Sequence, residues 1–171
     1  MEHDMMNNEN RVAQQGAVRL IKRSSPAVLN FPTKIGEEVE FPHGLLGFEQ
    51  IRRYRFRLED QYRPFLFMDA IDNDEVSFIC VDTFFVCPNY EASLPREVAL
   101  HLSSIERTAV FSIVTIRQDQ DNITANLMSP LIIDLETQIG EQVILENSGY
   151  PVQYSIRDML SSGGQQEAQA K

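Results

Sequence analysis

The chain has 171 residues, 43% of them hydrophobic and 23% charged, a globular composition with room for one core and two domains at most. Fifteen basic against 25 acidic side chains leave a formal net charge of −10, which opposes a phosphate backbone and speaks against a protein that coats nucleic acid. The polar start MEHDMMNNENRVAQQGAVRL lacks a secretory layout and no apolar run is long enough to span a bilayer. The two cysteines show no metal or redox spacing, so a reducing cytoplasm is expected.

Residues 1–30 are rich in Asn, Gln and Ser and carry four basic and three acidic side chains. They read as a flexible leader with a marginal helix over Val12–Lys22. The folded part is expected within 31–160, and SSGGQQEAQAK, 161–171, reads as a disordered tail. Phe48–Arg52 is read as a single turn. Arg53–Leu58 alternates, with Tyr54, Phe56 and Leu58 on one face and Arg53, Arg55 and Arg57 on the other, the pattern of a half-buried strand. Phe65–Ile71 and Val76–Val86 are rich in aromatic and branched residues and are separated by the polar turn Asp72-Asn73-Asp74-Glu75; both read as strands. Pro95–Ser103 is the one convincing helix, with Pro95 opening it and Val98 and Leu102 facing the sheet. Thr108–Arg117 is a further strand, followed by a polar turn at Asp119–Asn122 and a strand over Ile123–Met128 that Pro130 ends. Leu131–Leu135 and Gln142–Leu145 are expected to form a hairpin around Glu136–Gly140, with Gly140 supplying positive φ. Many short strands with one or two short helices predict an all-β, antiparallel, barrel-like domain.

Catalytic patterns are weak. His3, His43 and His101 lack zinc-peptidase spacing. Cys80 reads as a small buried hydrophobe, and no base adjoins Cys87 in sequence. Gly44-x-x-Gly47 lacks the Lys-Ser/Thr of a phosphate loop. No catalytic, cofactor-binding or metal-ligating residues are therefore assigned. The arginines of 53–57 imitate a nucleic-acid platform, but period two puts Tyr54 and Phe56 on the opposite face, where bases cannot stack. That face reads instead as laced with salt bridges. From Asp69 to Asp158 there are fifteen acids against four arginines, so the body suits a basic partner.

Four stretches resemble the flagellar assembly factor FliW family. Phe41-Pro42-His43-Gly44-Leu45-Leu46-Gly47-Phe48-Glu49 is similar to F-x-x-G-L-P-G-F-E, with Leu46 in place of the second proline. Phe78–Phe84 with Pro88-Asn89-Tyr90-Glu91 is similar to VVDPF…FPDYE, Thr124–Ile133 to TANLLAPIVIN, and Gly140–Leu145 to GRQVVL. The resemblance covers about 31–157 in the family's order. It implies a non-enzymatic partner switch without a cofactor. Such a protein binds flagellin in the cytoplasm. Once flagellin is exported, it binds the RNA-binding translational repressor CsrA and frees the flagellin messenger. Polar groups at strand ends beside the matched motifs nominate Asp72, Asp74, Glu75, Asp82, Asn126 and Glu141 as partner-binding residues. Phe48 and Phe84 are expected in the core. The rival reading is a small β-barrel cofactor-binding oxidoreductase, which no phosphate-binding motif favours.

Overall fold

The computed structural model describes residues 18–19, 38–118 and 122–160. The leader lies outside these apart from Val18–Arg19, and the 161–171 tail lies outside them entirely. In chain order the strands are β1 (Val18–Arg19), β2 (Glu38–Glu40), β3 (Arg53–Leu58), β4 (Phe65–Ala70), β5 (Ser77–Asp82), β6 (Ser93–Leu94), β7 (Thr108–Ile116), β8 (Ile123–Ala125), β9 (Leu131–Asp134), β10 (Ile139–Gln142) and β11 (Tyr154–Ser155). Short helices α1 (Thr83–Val86) and α2 (Arg96–His101) follow β5 and β6, and 157–160 are helical after β11.

The main sheet runs β11-β8-β7-β5-β4-β3-β2-β10-β9, and a further pairing joins β9 back to β7. The strands from β7 through β5, β4, β3, β2, β10 and β9 thus form a closed ring. β7 closes it: Thr108–Phe111 pair with β9, while Val114–Ile116 pair with β8 on the same edge. The all-β expectation holds, and every pairing is antiparallel except β2 with β10, where Glu40 faces Ile139 in a parallel register.

Side-chain alternation explains which strands look amphipathic. Tyr54, Phe56, Leu66, Met68, Cys80, Phe111, Leu131 and Ile133 fill the ring interior with Phe41 and Leu45. A second core lies against the outer face of β5, β7 and β9, where Val81, Val110, Val114 and Ile132 meet Phe84, Val86, Tyr90, Leu94, Leu127 and Ile156. Strands covered on both faces need apolar residues at every position, which is why VSFICV and TAVFSIV read as unbroken runs. β3 and β4 are covered on one face, so their outward positions carry Arg53, Arg55, Arg57 and Asp69.

Four sequence expectations are corrected. Val76–Val86 is not one strand: the chain turns helical after Asp82, whose carboxylate accepts from the Phe84 amide (2.8 Å) and the Phe85 amide (3.3 Å). Capping of the orphan amides outweighs the β-propensity of the aromatic residues that follow. The strand expected over Ile123–Met128 stops at Ala125, because the Asn126 side chain accepts from the Ser129 amide at 3.0 Å and turns the chain. Val18–Arg19, placed in a helix by sequence, instead pair antiparallel with β6. In the β9–β10 hairpin the second strand is Ile139–Gln142 rather than the expected Gln142–Leu145, and the left-handed residue is Gln138 (φ 58°), not Gly140, which lies within β10. Gly140 is needed for space: a Cβ there would lie 2.7 Å from the ring of Phe41. Elsewhere agreement is close. β3 spans the predicted Arg53–Leu58, and α2 begins one residue after Pro95 and buries Val98. The turn expected at Phe48–Arg52 is closed by the Ile51 amide on the Phe48 carbonyl (3.0 Å). Of the polar turn at Asp119–Asn122, only Asn122 lies within the described residues.

Asp134 ends β9 with 1% exposure. It accepts from the Ser103 amide (2.5 Å), the Ser103 hydroxyl (2.9 Å), the Glu136 amide (2.8 Å) and the Thr137 amide (3.2 Å). Burial raises its pKa, but these donors outweigh burial and hold the carboxyl below its usual range. A depressed carboxyl stabilises the fold above the unfolded pKa of about 3.9, and this stability is lost as pH falls through the lower folded value. Asp134→Ala should cost about 3 kcal/mol at pH 7 by urea unfolding, and the difference from the unmodified chain should shrink below about pH 4. Gly140→Ala should cost about 2 kcal/mol, and adding Phe41→Leu should recover part of that loss in the same assay.

Candidate functional site

The outer face of β3 and β4 and the turn after β4 place the most charge on one surface. Register sets Arg55 opposite Glu38 on one side and Asp69 on the other, with Arg53 opposite Glu40 and Arg57 opposite Phe67. Arg53 instead takes Glu38 (3.2 Å) and Asp72, to which it donates from Nε at 3.0 Å and Nη2 at 2.5 Å. Arg57 donates to Asp69 from Nε (2.9 Å), pairs with Glu59, and lies 4.6 Å over the ring of Phe67. The Ser77 hydroxyl also donates to Asp69 at 2.5 Å. Burial pushes the Asp69 carboxyl up, but the Arg57 and Ser77 bonds prevail and hold it below its usual range. The hydrogen bond from Arg53 to Asp72, and that from Arg57 to Asp69, raise the pKa of each guanidinium. The salt-bridged reading of the arginine stripe is therefore right for Arg53 and Arg57.

Arg55 is different. Its cross-strand carboxylates are already engaged by Arg53, Arg57 and Ser77, and among the described residues it makes no ion pair. It lines an open groove of about 630 Å³ with Arg57, Asp69 and Asp74. Sequence reading treated the three arginines alike. The register offers Glu38 and Asp69 to Arg55, and only the side-chain hydrogen bonds show that Arg53, Arg57 and Ser77 take them.

The turn between β4 and β5 is built by Asn73, whose side-chain oxygen accepts from the Glu75 amide (3.1 Å) and whose carbonyl accepts from the Val76 amide (3.0 Å). The Ala70 amide closes the hairpin on the Val76 carbonyl at 3.0 Å. This local bonding projects Asp72, Asp74 and Glu75 into solvent. Of the six residues nominated from sequence, the fold gathers these three. Asp82 lies at the far end of β5, about 17 Å along the strand from Ser77 by strand geometry, and is only 7% exposed while it caps α1. Asn126 is half-buried in its own turn. Glu141 sits on β10, its Oε1 3.7 Å from His43 Nδ1. Phe84 is in the core, and Phe48 packs edge-on against Phe78 at 5.1 Å.

The matched sequence blocks meet in space. The Tyr90 hydroxyl donates to the Leu127 carbonyl at 2.7 Å, its ring lies 4.4 Å from that of Tyr150, and the Tyr150 hydroxyl accepts from the Glu91 amide. Phe41 of the first block touches Gly140 of the fourth. Burial drives the Cys80 thiol well above its usual range, which removes it as a nucleophile at neutral pH. Among the described residues no cluster of His, Cys, Asp and Glu is arranged to hold a metal ion, and no helix is long and apolar enough to cross a membrane.

A closed ring of strands with a second core on one side and a charged face on the other is an all-β class of domain, and known proteins share it. The family model described as FliW protein matches residues 26–156. The flagellar assembly factor FliW of Caldicellulosiruptor saccharolyticus is 32% identical over 136 residues, covering 77% of this chain and 89% of that protein. The FliW of Clostridium novyi is 32% identical over 121 residues, covering 69% and 84%. A crystal structure of the flagellar assembly factor FliW superposes with a TM-score of 0.65 at 26% identity, covering 74% of this chain and 88% of that one. The chain belongs to the FliW family.

Because Arg53 and Asp72 are both about half exposed, their pair contributes little to the fold. Asp72→Ala should shift Tm by no more than about 2 °C, and scanning calorimetry in high salt should erase that shift.

Proposed function

We propose that this chain is a cytoplasmic partner switch that binds flagellin and the translational repressor CsrA, and that by antagonising CsrA it lets flagellin translation and flagellum assembly proceed. Membership of the FliW family over residues 26–156 carries this reading. The charge supports it: an acidic body of net −10 attracts a basic RNA-binding protein and opposes RNA on a shared surface. The exposed Asp72–Glu75 turn is the proposed centre of the CsrA-facing surface, with Glu141 as a further candidate; Asp82, which caps α1, and Asn126, which holds its own turn, are assigned to the fold instead. Asp74 and Glu75 are its cleanest probes, since Asp72 also holds Arg53.

Exchange between partners requires that each lower the affinity for the other by the same factor. The test is titration of the purified chain with its organism's CsrA and flagellin, singly and in competition. Saturable binding of both, with mutual displacement, is expected. Binding of neither by the folded chain would overturn the assignment. Asp74→Lys/Glu75→Lys should weaken CsrA binding about tenfold, or about 1.4 kcal/mol, and flatten its salt dependence. Unchanged affinity would remove the turn from the interface.

A further inference from the structure

β6 is a strand outside the main sheet. Its residues Ser93 and Leu94 pair with β1 alone, in a separate two-stranded sheet. The body behind β6 is rigidly held: Ala92 and Leu94 are fully buried in the second core, and Glu91 is anchored through its amide to the Tyr150 hydroxyl at 2.8 Å. Beside it runs an open groove of about 550 Å³, with Pro95, Ile144 and Tyr150 among its walls and Glu91 and Glu146 at its margins. Ile144 keeps 43% of its surface exposed. An ordered edge next to a partly apolar, acid-rimmed groove is the arrangement by which a sheet captures an extended peptide.

The segment seated on that edge tells what chemistry it accepts. β1 belongs to the run Gly16-Ala17-Val18-Arg19-Leu20-Ile21-Lys22-Arg23, which combines aliphatic residues with three basic ones and contains no acid. Its charge complements Glu91 and Glu146. A two-residue pairing contributes little by itself. It is held in place by tethering, since residues 20–37 connect β1 to β2. Covalent linkage makes the pairing intramolecular, and a free segment of the same character competes with it.

We propose that the β6 edge and its groove are a docking site for an extended basic and aliphatic segment of a partner protein, and that β1 occupies it in cis as a displaceable mimic. This does not depend on the partner-switch reading above. The site takes its ligand by backbone strand addition, with Glu91 and Glu146 selecting positive charge.

The probe is a fluorescein-labelled peptide of residues 14–23, titrated against the full chain and against its Val18→Pro variant. Proline removes an amide donor from β1 and weakens the cis pairing. The peptide should bind Val18→Pro about tenfold more tightly than the unmodified chain, because the tethered competitor is lost. Glu91→Lys/Glu146→Lys in the Val18→Pro background should weaken binding at least fivefold. A peptide with Arg19, Lys22 and Arg23 replaced by Glu should not bind. Equal affinity for both chains, absence of saturable binding to Val18→Pro, or indifference to the charge changes would each overturn the proposal. Hydrogen exchange on the unmodified chain gives a reading free of any folding defect. The β6 amides paired with β1 should exchange much faster than those of β5 and should slow when the peptide is added. Protection equal to that of β5, unaltered by peptide, would also overturn it.

Discussion

The structure depends on β7. Its nine residues pair with β5 along one edge, and along the other with β9 first and β8 afterwards. The β9 pairing closes the ring, and the β8 pairing starts the extension that carries β11. Because β7 is central, both its faces are buried, and its side chains divide by parity. Ala109 and Phe111 point into the ring, while Val110 and Val114 point into the outer core. Ser112 falls on the outer side, and its hydroxyl meets that of Thr83 at 2.8 Å. A buried hydroxyl in a two-sided strand must find a partner, and α1 supplies it. One strand therefore couples the ring, the outer core and the first helix.

From this follows where charge is placed. The outer core shields β5, β7 and β9, so among the described residues the broad uncovered sheet face belongs to β3 and β4. There the cationic positions of β3 meet a limited number of carboxylates, and hydrogen-bond geometry decides which are neutralised. Arg53 and Arg57 are paired, and Arg55 remains beside Asp74 in an open groove. The hairpin turn adds Asp72, Asp74 and Glu75 at the rim of the same face. An acidic molecule thus presents a surface that is mixed in sign rather than uniformly negative. Mixed surfaces favour orientation and partner discrimination over raw attraction. That suits a protein proposed to exchange one protein partner for another.

The second face is organised by aromatic contacts. Tyr90, Tyr150 and the Leu127 carbonyl tie together segments far apart in the chain. The same Tyr150 anchors the backbone ahead of β6, so the strand that accepts β1 is fixed to the core rather than to a loop. The two surfaces are therefore built differently: a charged sheet face on one side, and a backbone edge with acid margins on the other.

Sequence by itself determined the all-β class, the family, the β3 alternation and most strand positions, because a period-two pattern in a half-covered strand is set by burial alone. It also identified the Asp72–Glu75 turn, since turn chemistry is local. It misread Asp82–Val86 and Gly140 for opposite reasons. The first was decided by a local cap that competes with propensity. The second was decided by the ring of Phe41, almost a hundred residues away. Tertiary structure alone decided that Asp82 is buried at the far end of its strand, that Glu38 and Asp69 bond Arg53 and Arg57 rather than Arg55, and that Val18–Arg19 lie on β6. Each of these depends on which strands are neighbours and in what register. Pairing partners distant in sequence leave no periodic trace in the chain itself.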